Sequence, residues 1–420
     1  MSQDVFDQYG EYFDKPDKHF KVEIAYLKKE RSFLQKAFEF FFAYFIYTDT
    51  TKTLSTMSPR PDEPPAGGRS YLTPLKIFIS KTFGKSEWMR KKFVPYFYHK
   101  IFNDRPFSRI FDKYQPDLVV VPHLYSRNDR GVMAEAKRRG IKTVGMISNW
   151  DHLDKYYLPF QADVFLAQSE QIKKYAILYQ SYEENQIKIV GYSYFDAIAS
   201  GLYKKSREAT LAELGFPPNS KYCIYISGSA YSKDEPAIVA KILEWANAGR
   251  FGIDVRILLR PYIGTRRADR ETDKIKFDRF RGNNRVNIFG GDFWGTLDKA
   301  YTFLNYLSHA DVVMAVYSTA ILEAAALDRP LVIPGFDGDS SPPFHQSITR
   351  FELREHFKDV MKSGAVVVAR NYEQLFSALD RSFKNPGEFH DQRMRLISDL
   401  LYRVDGNSSE RVRDAIKDAA

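Results

Sequence analysis

Cysteine is almost missing from this chain: Cys223 stands alone among 420 residues, so no internal disulfide can form and a disulfide-built scaffold is excluded. Long hydrophobic runs are missing too. The densest apolar stretch, residues 38–47, is broken by Glu39 and is about half the roughly 20 residues a membrane helix requires. The opening MSQDVFDQYG has no basic stretch leading into an apolar one, which argues against a secretory leader. No GxxxxGK followed by Ser or Thr occurs, and no GxGxxG, against a P-loop NTPase and a standard dinucleotide oxidoreductase. The eight histidines are scattered singly, without HExxH or a Cys/His cluster, so no metal site is expected. Glycine is scarce at the start, with only Gly10 in the first 66 residues. A cytoplasmic protein fits these absences.

What is present is an ordinary globular balance: 44% hydrophobic, 27% charged and 15% aromatic residues, with 62 Lys+Arg against 53 Asp+Glu for a net charge of +9. This length favours two domains over one core. Strand-like runs fall at 22–26, 117–121, 142–147, 163–167 and 187–190, then at 222–227, 255–259, 286–289, 311–316, 331–333 and 365–368. Helical patterns lie between them, such as 130–140 with its terminal glycine. Strands alternating with helices predict an α/β fold of two doubly wound parallel-sheet domains, joined near 200–220. The expected division is 1–203, 204–385 and a C-terminal segment 386–420. Residues 56–74 hold five prolines and two glycines, and read as a surface loop or lid.

Open parallel sheets bind ligands beyond the carboxyl ends of their strands, which selects the loops that matter. The run at 222–227 leads into Ser227-Gly228-Ser229-Ala230, a small turn that either cradles a phosphate around Ser229 or is simply a tight strand-to-helix turn. Arg260-Pro261-Tyr262 puts a cation at the next strand end, suited to a diphosphate or to plain solvent exposure. The strongest local signal is the apolar run 311–316 entering Tyr317-Ser318-Thr319, with Glu323 one turn later among alanines. Ser318 and Thr319 offer hydroxyls beside free helix amides, and Glu323 suits the two hydroxyls of a ribose; helix capping is the plainer option. In the first half, Ser148-Asn149-Trp150-Asp151-His152-Leu153-Asp154-Lys155 gathers a carboxylate, an imidazole and an ammonium at a strand end. Asp151 or His152 could take a proton from an attacking hydroxyl, unless the loop serves to dock the facing domain. His123 is a lesser candidate for the same cleft, with Trp150 and Lys155 beside it on the acceptor side. Asp337-Gly338-Asp339 has the spacing some transferases use for a metal, but following a strand late in the second domain it reads rather as a turn. The segment 84–100 mixes cations with large aromatics; it would lie on an anionic membrane surface, hold a phosphorylated lipid acceptor, or turn its aromatics inward as ordinary helices do. No nucleic-acid module accompanies the basic charge.

Several of these loops match a family pattern. Asn149-Trp150-Asp151-His152-Leu153-Asp154-Lys155 looks like Ser-Trp-Asp-Asn-Leu-Thr-x-Lys, and Val190-Gly191-Tyr192-Ser193-Tyr194-Phe195-Asp196 is similar to a Val-x-Gly-x-Pro-x-Phe-Asp segment. Arg260-Pro261-Tyr262 stands where Arg-Pro-His is common, and Asp405-Gly406-Asn407-Ser408-Ser409-Glu410-Arg411 resembles Asp-Gly-Lys-x-Ser-x-Arg. With Ser318 to Glu323 and Phe336-Asp337-Gly338, the matches run in order from about Asp117 to Arg411. The chain thus resembles the bacterial GT-B glycosyltransferases of cell-surface polysaccharide synthesis, the group that includes CDP-glycerol glycerophosphotransferase-like and capsule enzymes. His152 replaces an Asn of the pattern and Tyr262 a His. The resemblance implies two Rossmann-like domains facing across a cleft, with C-terminal helices 386–420 crossing back to the first domain. It implies a nucleotide-sugar donor held by Ser229, Arg260, Tyr262, Ser318, Thr319 and Glu323, and a glycan or lipid-linked acceptor near His123, Trp150 and Lys155. No metal or other cofactor is expected, with Asp337 near the donor, and the site of action would be cytoplasmic or at the inner face of the plasma membrane. Transfer of glycerol phosphate, non-hydrolysing epimerisation of a sugar nucleotide, and a non-catalytic binding role are the alternatives.

Overall fold

The computed structural model describes residues 21–23, 25, 30–55, 70–228, 232, 234–262, 273–290 and 297–420. Two parallel sheets organise them. The first has four strands in the order β1-β2-β3-β4: β1 (Leu118–Val121), β2 (Lys142–Met146), β3 (Val164–Ala167) and β4 (Ile187–Ile189). The second has six, ordered β10-β9-β8-β5-β6-β7, from β5 (Lys221–Ile226), β6 (Val255–Arg260), β7 (Val286–Ile288), β8 (Val312–Ala315), β9 (Leu331–Pro334) and β10 (Val366–Ala369). Every pairing is parallel. Ten of the eleven anticipated strands are present. Of the eleventh, expected at 22–26, residues 22, 23 and 25 lie outside any strand, and 24 and 26 fall outside the described residues. Of the anticipated proline-rich loop, 56–69 fall outside the described residues, whereas 70–72 form a 3-10 turn leading into the helix Thr73–Thr82, started by Pro74 at its first turn.

The two sheets are wound differently, and this decides where ligands can go. The second winds outward in both directions from β5 and β8, which pair with each other. The strand order reverses there, opening a crevice at their carboxyl ends. The first sheet runs in sequence order, so right-handed connections place its own crossovers on one side and leave the other bare. A parallel sheet needs both faces covered. Alternation along the strands sends Val119, Val121, Phe165 and Ala167 to one core and Leu118, Val144, Met146, Val164 and Leu166 to the other side. That second side is covered by the last helix, Ser408–Lys417, through Val412, Ala415, Ile416 and Ala419. The chain's end therefore returns to the first sheet for a physical reason: it hides an apolar face that local winding cannot hide.

The return is fixed by polar contacts. Asp196 accepts hydrogen bonds from the amides of Ser408 and Ser409 at 3.0 and 2.7 Å, and Arg411 Nε donates to the carbonyl of Val190 at 2.8 Å. The backbone between them turns at Gly191, with φ +82°, and a Cβ there would lie 2.6 Å from Ser408 Oγ. Glycine is required on both counts. The main core is continuous across both sheets, running from Phe42 and Phe165 through Trp150 and Phe357 to Ile224 and Val313.

Gly191→Ala tests this seam. Gly249 has a similar φ, +63°, with nothing within 4 Å of its Cβ position. Both alanines bear the left-handed penalty of about 1 kcal/mol or more; only Gly191→Ala also displaces the last helix. Its loss of thermal stability is expected to exceed that of Gly249→Ala clearly in side-by-side melts, and equal losses would refute the close approach as the cause.

Candidate active-site cleft

The loop after β2 carries the first half of the site. His123, beyond β1, meets it: its Nδ1 lies 2.9 Å from Ser148 Oγ, and its ring centroid is 5.1 Å from that of His152. His152 stacks almost flat on Tyr125, 4.8 Å between centroids and 8° between planes. Its Nδ1 is buried with no hydrogen-bond partner, and Nε2 stands 3.8 Å from Asp151 Oδ1. Burial lowers the pKa of His152 to about 4 against the opposing pull of Asp151, so the ring is neutral at pH 7. Burial likewise lowers that of His123.

Asp151 differs. Burial works to raise its pKa, but the Lys155 ammonium, 2.5 Å from Oδ2, with His356 and His152, holds it well below the ordinary carboxylate range. Asp151 is thus committed to Lys155, and its free oxygen faces His152. The expectation of Asp151 as a base gives way to a geometry in which it orients its neighbours, because an ion-paired carboxylate is a feeble proton acceptor. Trp150, expected beside the acceptor, is only 1% exposed. Its indole packs edge-on against His356 and Phe357, and Nε1 donates to Thr319 Oγ1 at 3.2 Å. A large apolar ring with one donor suits the join between two domains better than an open cleft.

The other half lies at the reversal of the second sheet. The amide of Tyr262, beyond β6, donates to Ser227 Oγ, beyond β5, at 2.9 Å. Gly228 N–H is taken by Glu235 Oε1 at 2.9 Å, a buried carboxylate that also pairs with Lys276. The Gly228 amide is therefore satisfied from within, while Ser229, on which the expected phosphate-holding turn centres, lies outside the described residues. Beyond β8 the picture is open. Ser318 Oγ is buried without a partner, and so is Glu323 Oε2 on the following helix Ala320–Ala326. Burial raises the pKa of Glu323 against the opposing charge of Arg260 and a hydrogen bond with Tyr194. Burial equally lowers that of Arg260, whose guanidinium sits 4.1 Å over the ring of Phe303. Ser318, Arg260 and Glu323 thus gather at the crevice, with Tyr194 reaching in from the other side of the domain join.

Three groups were not singled out from sequence. Asp154, His356 and Thr50 form a buried node: Asp154 Oδ2 accepts from Thr50 Oγ1 at 2.6 Å and lies 2.8 Å from His356 Nδ1. The hydroxyl run Thr48, Thr50, Thr51, Thr53 and Ser55, all buried, was a readable signal; the single His356 was not. Asp337 and Asp339 part company: Asp337 Oδ1 accepts from the amide of Ile348 at 2.8 Å, while Asp339 accepts from Tyr372 at 2.7 Å. Among the described residues, no group of three or more His, Cys, Asp or Glu side chains is arranged to hold a metal ion.

The protonation of His152 is open to test. Its pKa falls from 6.5 in the unfolded chain to about 4 in the folded one. As pH drops from 6.5 toward 4, the unfolded chain takes up a proton that the folded chain refuses. Stability should therefore decline by about 3 kcal/mol across that window. Denaturant titrations at pH 7 and pH 4 should show this loss shrinking in His152→Phe; an unchanged loss would place the effect elsewhere. Asp151 contributes in a lower window, below its unfolded value.

No protein-family model matches the chain, and no curated protein matches its sequence. Solved structures with a similar fold exist. A Neisseria meningitidis UDP-GlcNAc 2-epimerase bound to UDP-GlcNAc is 12% identical, covering 74% of this chain and 79% of its own, with a TM-score of 0.48. A glycosyltransferase from Rickettsia africae is 13% identical over 79% of this chain and 83% of its own, at 0.45. A variant of the wall teichoic acid polymerase TagF is 12% identical over 79% of this chain and 97% of its own, at 0.44.

Proposed function

We propose that the chain is a glycosyltransferase that moves a sugar from a nucleotide-sugar donor to a hydroxyl of a glycan or lipid-linked acceptor. The observation that carries the reading is the pair of buried, partnerless oxygens, Ser318 Oγ and Glu323 Oε2, gathered with Arg260 at the strand reversal. Buried polar atoms are seldom left unsatisfied, and those that are call for a partner such as an ordered water, an ion or a ligand. Glu323 supplies an acceptor for ribose hydroxyls. Arg260 and the Ser318 hydroxyl take the diphosphate, whose charge grows as the glycosidic bond breaks.

Across the cleft, neutral His152 accepts the proton of the attacking hydroxyl. The acceptor oxygen forms its bond to the anomeric carbon, and the nucleoside diphosphate leaves with the old bonding pair. Asp151 faces the resulting imidazolium and favours it, which offsets the resting weakness of the base. The role assigned to Arg260 and to hydroxyl donors leaves no step that calls for a metal. Lys155 keeps Asp151 ionised, and His123 lines the same wall.

A thermal-shift screen against UDP, GDP, CDP, CMP and dTDP, their sugars and CDP-glycerol tests the donor. A ligand at about 100 times its dissociation constant stabilises by about 2.7 kcal/mol, a shift the screen resolves. Glu323→Ala should weaken the best ligand at least tenfold, about 1.4 kcal/mol, by calorimetry; undiminished affinity would remove Glu323 from the site. A preference for CDP-glycerol over every nucleotide sugar would move the reading to glycerol phosphate transfer. Conversion of a nucleotide sugar without acceptor would move it to epimerisation.

His152→Gln separates chemistry from binding. Turnover with a matched acceptor should fall by roughly 100-fold or more, the ordinary worth of a general base, with donor affinity unchanged. Parallel loss of both would mean that the ring only supports the fold.

A further inference from the structure

The aromatics of the first domain divide sharply, and one group faces outward. Among them Phe78 is 56% exposed, Trp88 62% and Tyr96 58%, with Phe83 and Phe97 also open to solvent. They form one surface. Ring contacts run from Phe78 to Phe83, through Phe41 to Phe93, and on to Trp88, Phe97 and Tyr96, with centroid separations from 4.4 to 6.4 Å. Tyr71, Leu75 and Phe78 extend it along the first helical turns, all exposed. A soluble surface rarely gathers so many large apolar groups without a partner.

Charge on the same elements is one-sided. Residues 70–101 hold seven Lys and Arg against the single acid Glu87, a net of +6 in a chain whose whole net charge is +9. Two of the seven are turned inward: Lys76 is buried against Ser55, and Arg90 donates to the carbonyls of Gly84, Phe45 and Tyr179. Lys91 is paired with Glu87 and Glu183. Lys81, Lys85 and Lys92 are exposed and make no ion pair among the described residues, and Lys100 lies over the ring of Tyr96. The anticipated ordinary packing, aromatics in and cations out, is therefore only half observed: Phe93 and Tyr98 turn inward while their neighbours do not. Aromatic rings with an indole and a phenol among them, ringed by lysines, match the boundary between lipid headgroups and acyl chains.

We infer that the face formed by residues 71–100 docks on the surface of an anionic lipid bilayer. Trp88, Phe78, Phe83, Tyr96 and Phe97 enter the headgroup boundary, and Lys81, Lys85 and Lys92 meet its negative charge. Among the described residues no helix is long and apolar enough to cross a membrane, so the contact is peripheral. A π-helical turn at Met89–Phe93 builds the face, letting Arg90 point back into the domain while Trp88 and Lys92 point out. Gly84 packs so tightly on Phe45 that a Cβ there would collide with the Phe45 carbonyl, which seats the face closely on the domain. This inference is independent of the transferase reading, since it invokes no nucleotide.

The test uses the full chain and vesicles of phosphatidylcholine, alone or with about one third phosphatidylglycerol. Sedimentation with the anionic vesicles is expected, weakening as salt is raised. Joint substitution Lys81→Glu, Lys85→Glu and Lys92→Glu should lower partitioning by roughly 100-fold or more, with nucleotide binding and melting temperature as controls for folding. Brominated lipid should quench tryptophan emission of the native chain, and Trp88→Phe should abolish that quenching, which keeps the proposal testable if the charge variant misfolds. Failure to sediment with anionic vesicles, or equal sedimentation of native and charge-reversed chains, would overturn it. So would a lipid-free dimer whose formation Trp88→Ala or Phe78→Ala prevents, because the face would then belong to a second copy.

Discussion

Asp154 has no exposed surface, and a carboxylate in that position must be answered by its neighbours, which here converge on Oδ2 and leave Oδ1 without a hydrogen-bond partner. Thr50 answers from the helix Asp49–Ser55, and His356 answers from the helix Glu355–Ser363, through its ring and its amide. Thr50 Oγ1 also accepts from the amide of Glu355 at 2.9 Å, so the three elements close on one another. Removing one member of a buried pair of this kind commonly costs about 3–5 kcal/mol, since the remaining polar group is left stranded. The node therefore holds the two sheets in one relation. Trp150, Asp151, His152 and Lys155 lie within four residues of Asp154 on the same loop, and Leu153 beside it is fully buried. Their positions follow from the anchor, not from any regular structure of their own.

Two buried carboxylates at the cleft show how the same burial leads to opposite states. Asp151 has an ammonium within hydrogen-bonding distance and stays ionised far into acid. Glu323 has a guanidinium nearby and a phenol, yet one oxygen remains unpartnered and burial dominates. Each keeps one buried oxygen without a hydrogen-bond partner, Oδ1 in Asp151 and Oε2 in Glu323. They differ in what stands nearby: Asp151 Oδ1 lies 3.8 Å from His152 Nε2, whereas Glu323 has Arg260 and Tyr194 as its neighbours beyond the second sheet.

The strands were legible because buried parallel strands are short apolar runs between turn residues, and ten of them appear where that pattern puts them. The run at 22–26 had the same composition, but composition cannot say whether a neighbouring strand exists to pair with it. Winding order was not legible for a related reason: the sequential order of the first sheet depends on contacts between distant segments. Its consequence, the return of the last helix, was expected from the family resemblance and not from any local pattern. Ser318, Arg260 and Glu323 were readable as candidates because the strand-end rule points to them. His152 was readable as a candidate, whereas its neutrality arises from burial against Tyr125 and His123. Asp154 could be seen but not interpreted, since its partners Thr50 and His356 lie 104 and 202 residues away. Trp150 was assigned to the acceptor side for the same reason, its true neighbours being Thr319 and Phe357.

The outward aromatic face and the cleft share a support. Arg90 lies 5.0 Å from the ring of Tyr157, and Phe45 stacks on that same ring at 5.7 Å. The amide of Tyr157 donates to the carbonyl of Ala43 at 3.0 Å. Tyr157 follows Asp154 by three residues on the loop that carries His152. Arg90, two residues from both Trp88 and Lys92, thus touches Tyr157 on the loop that also carries Asp154. A surface held on the bilayer by those outer residues would keep the cleft at a fixed height above it. An acceptor tethered in the same bilayer would then meet His152 by sliding in two dimensions, not by diffusing in three. If the face docks as proposed, its +6 charge would bear on the proposed reaction through geometry, by setting where the acceptor hydroxyl can stand.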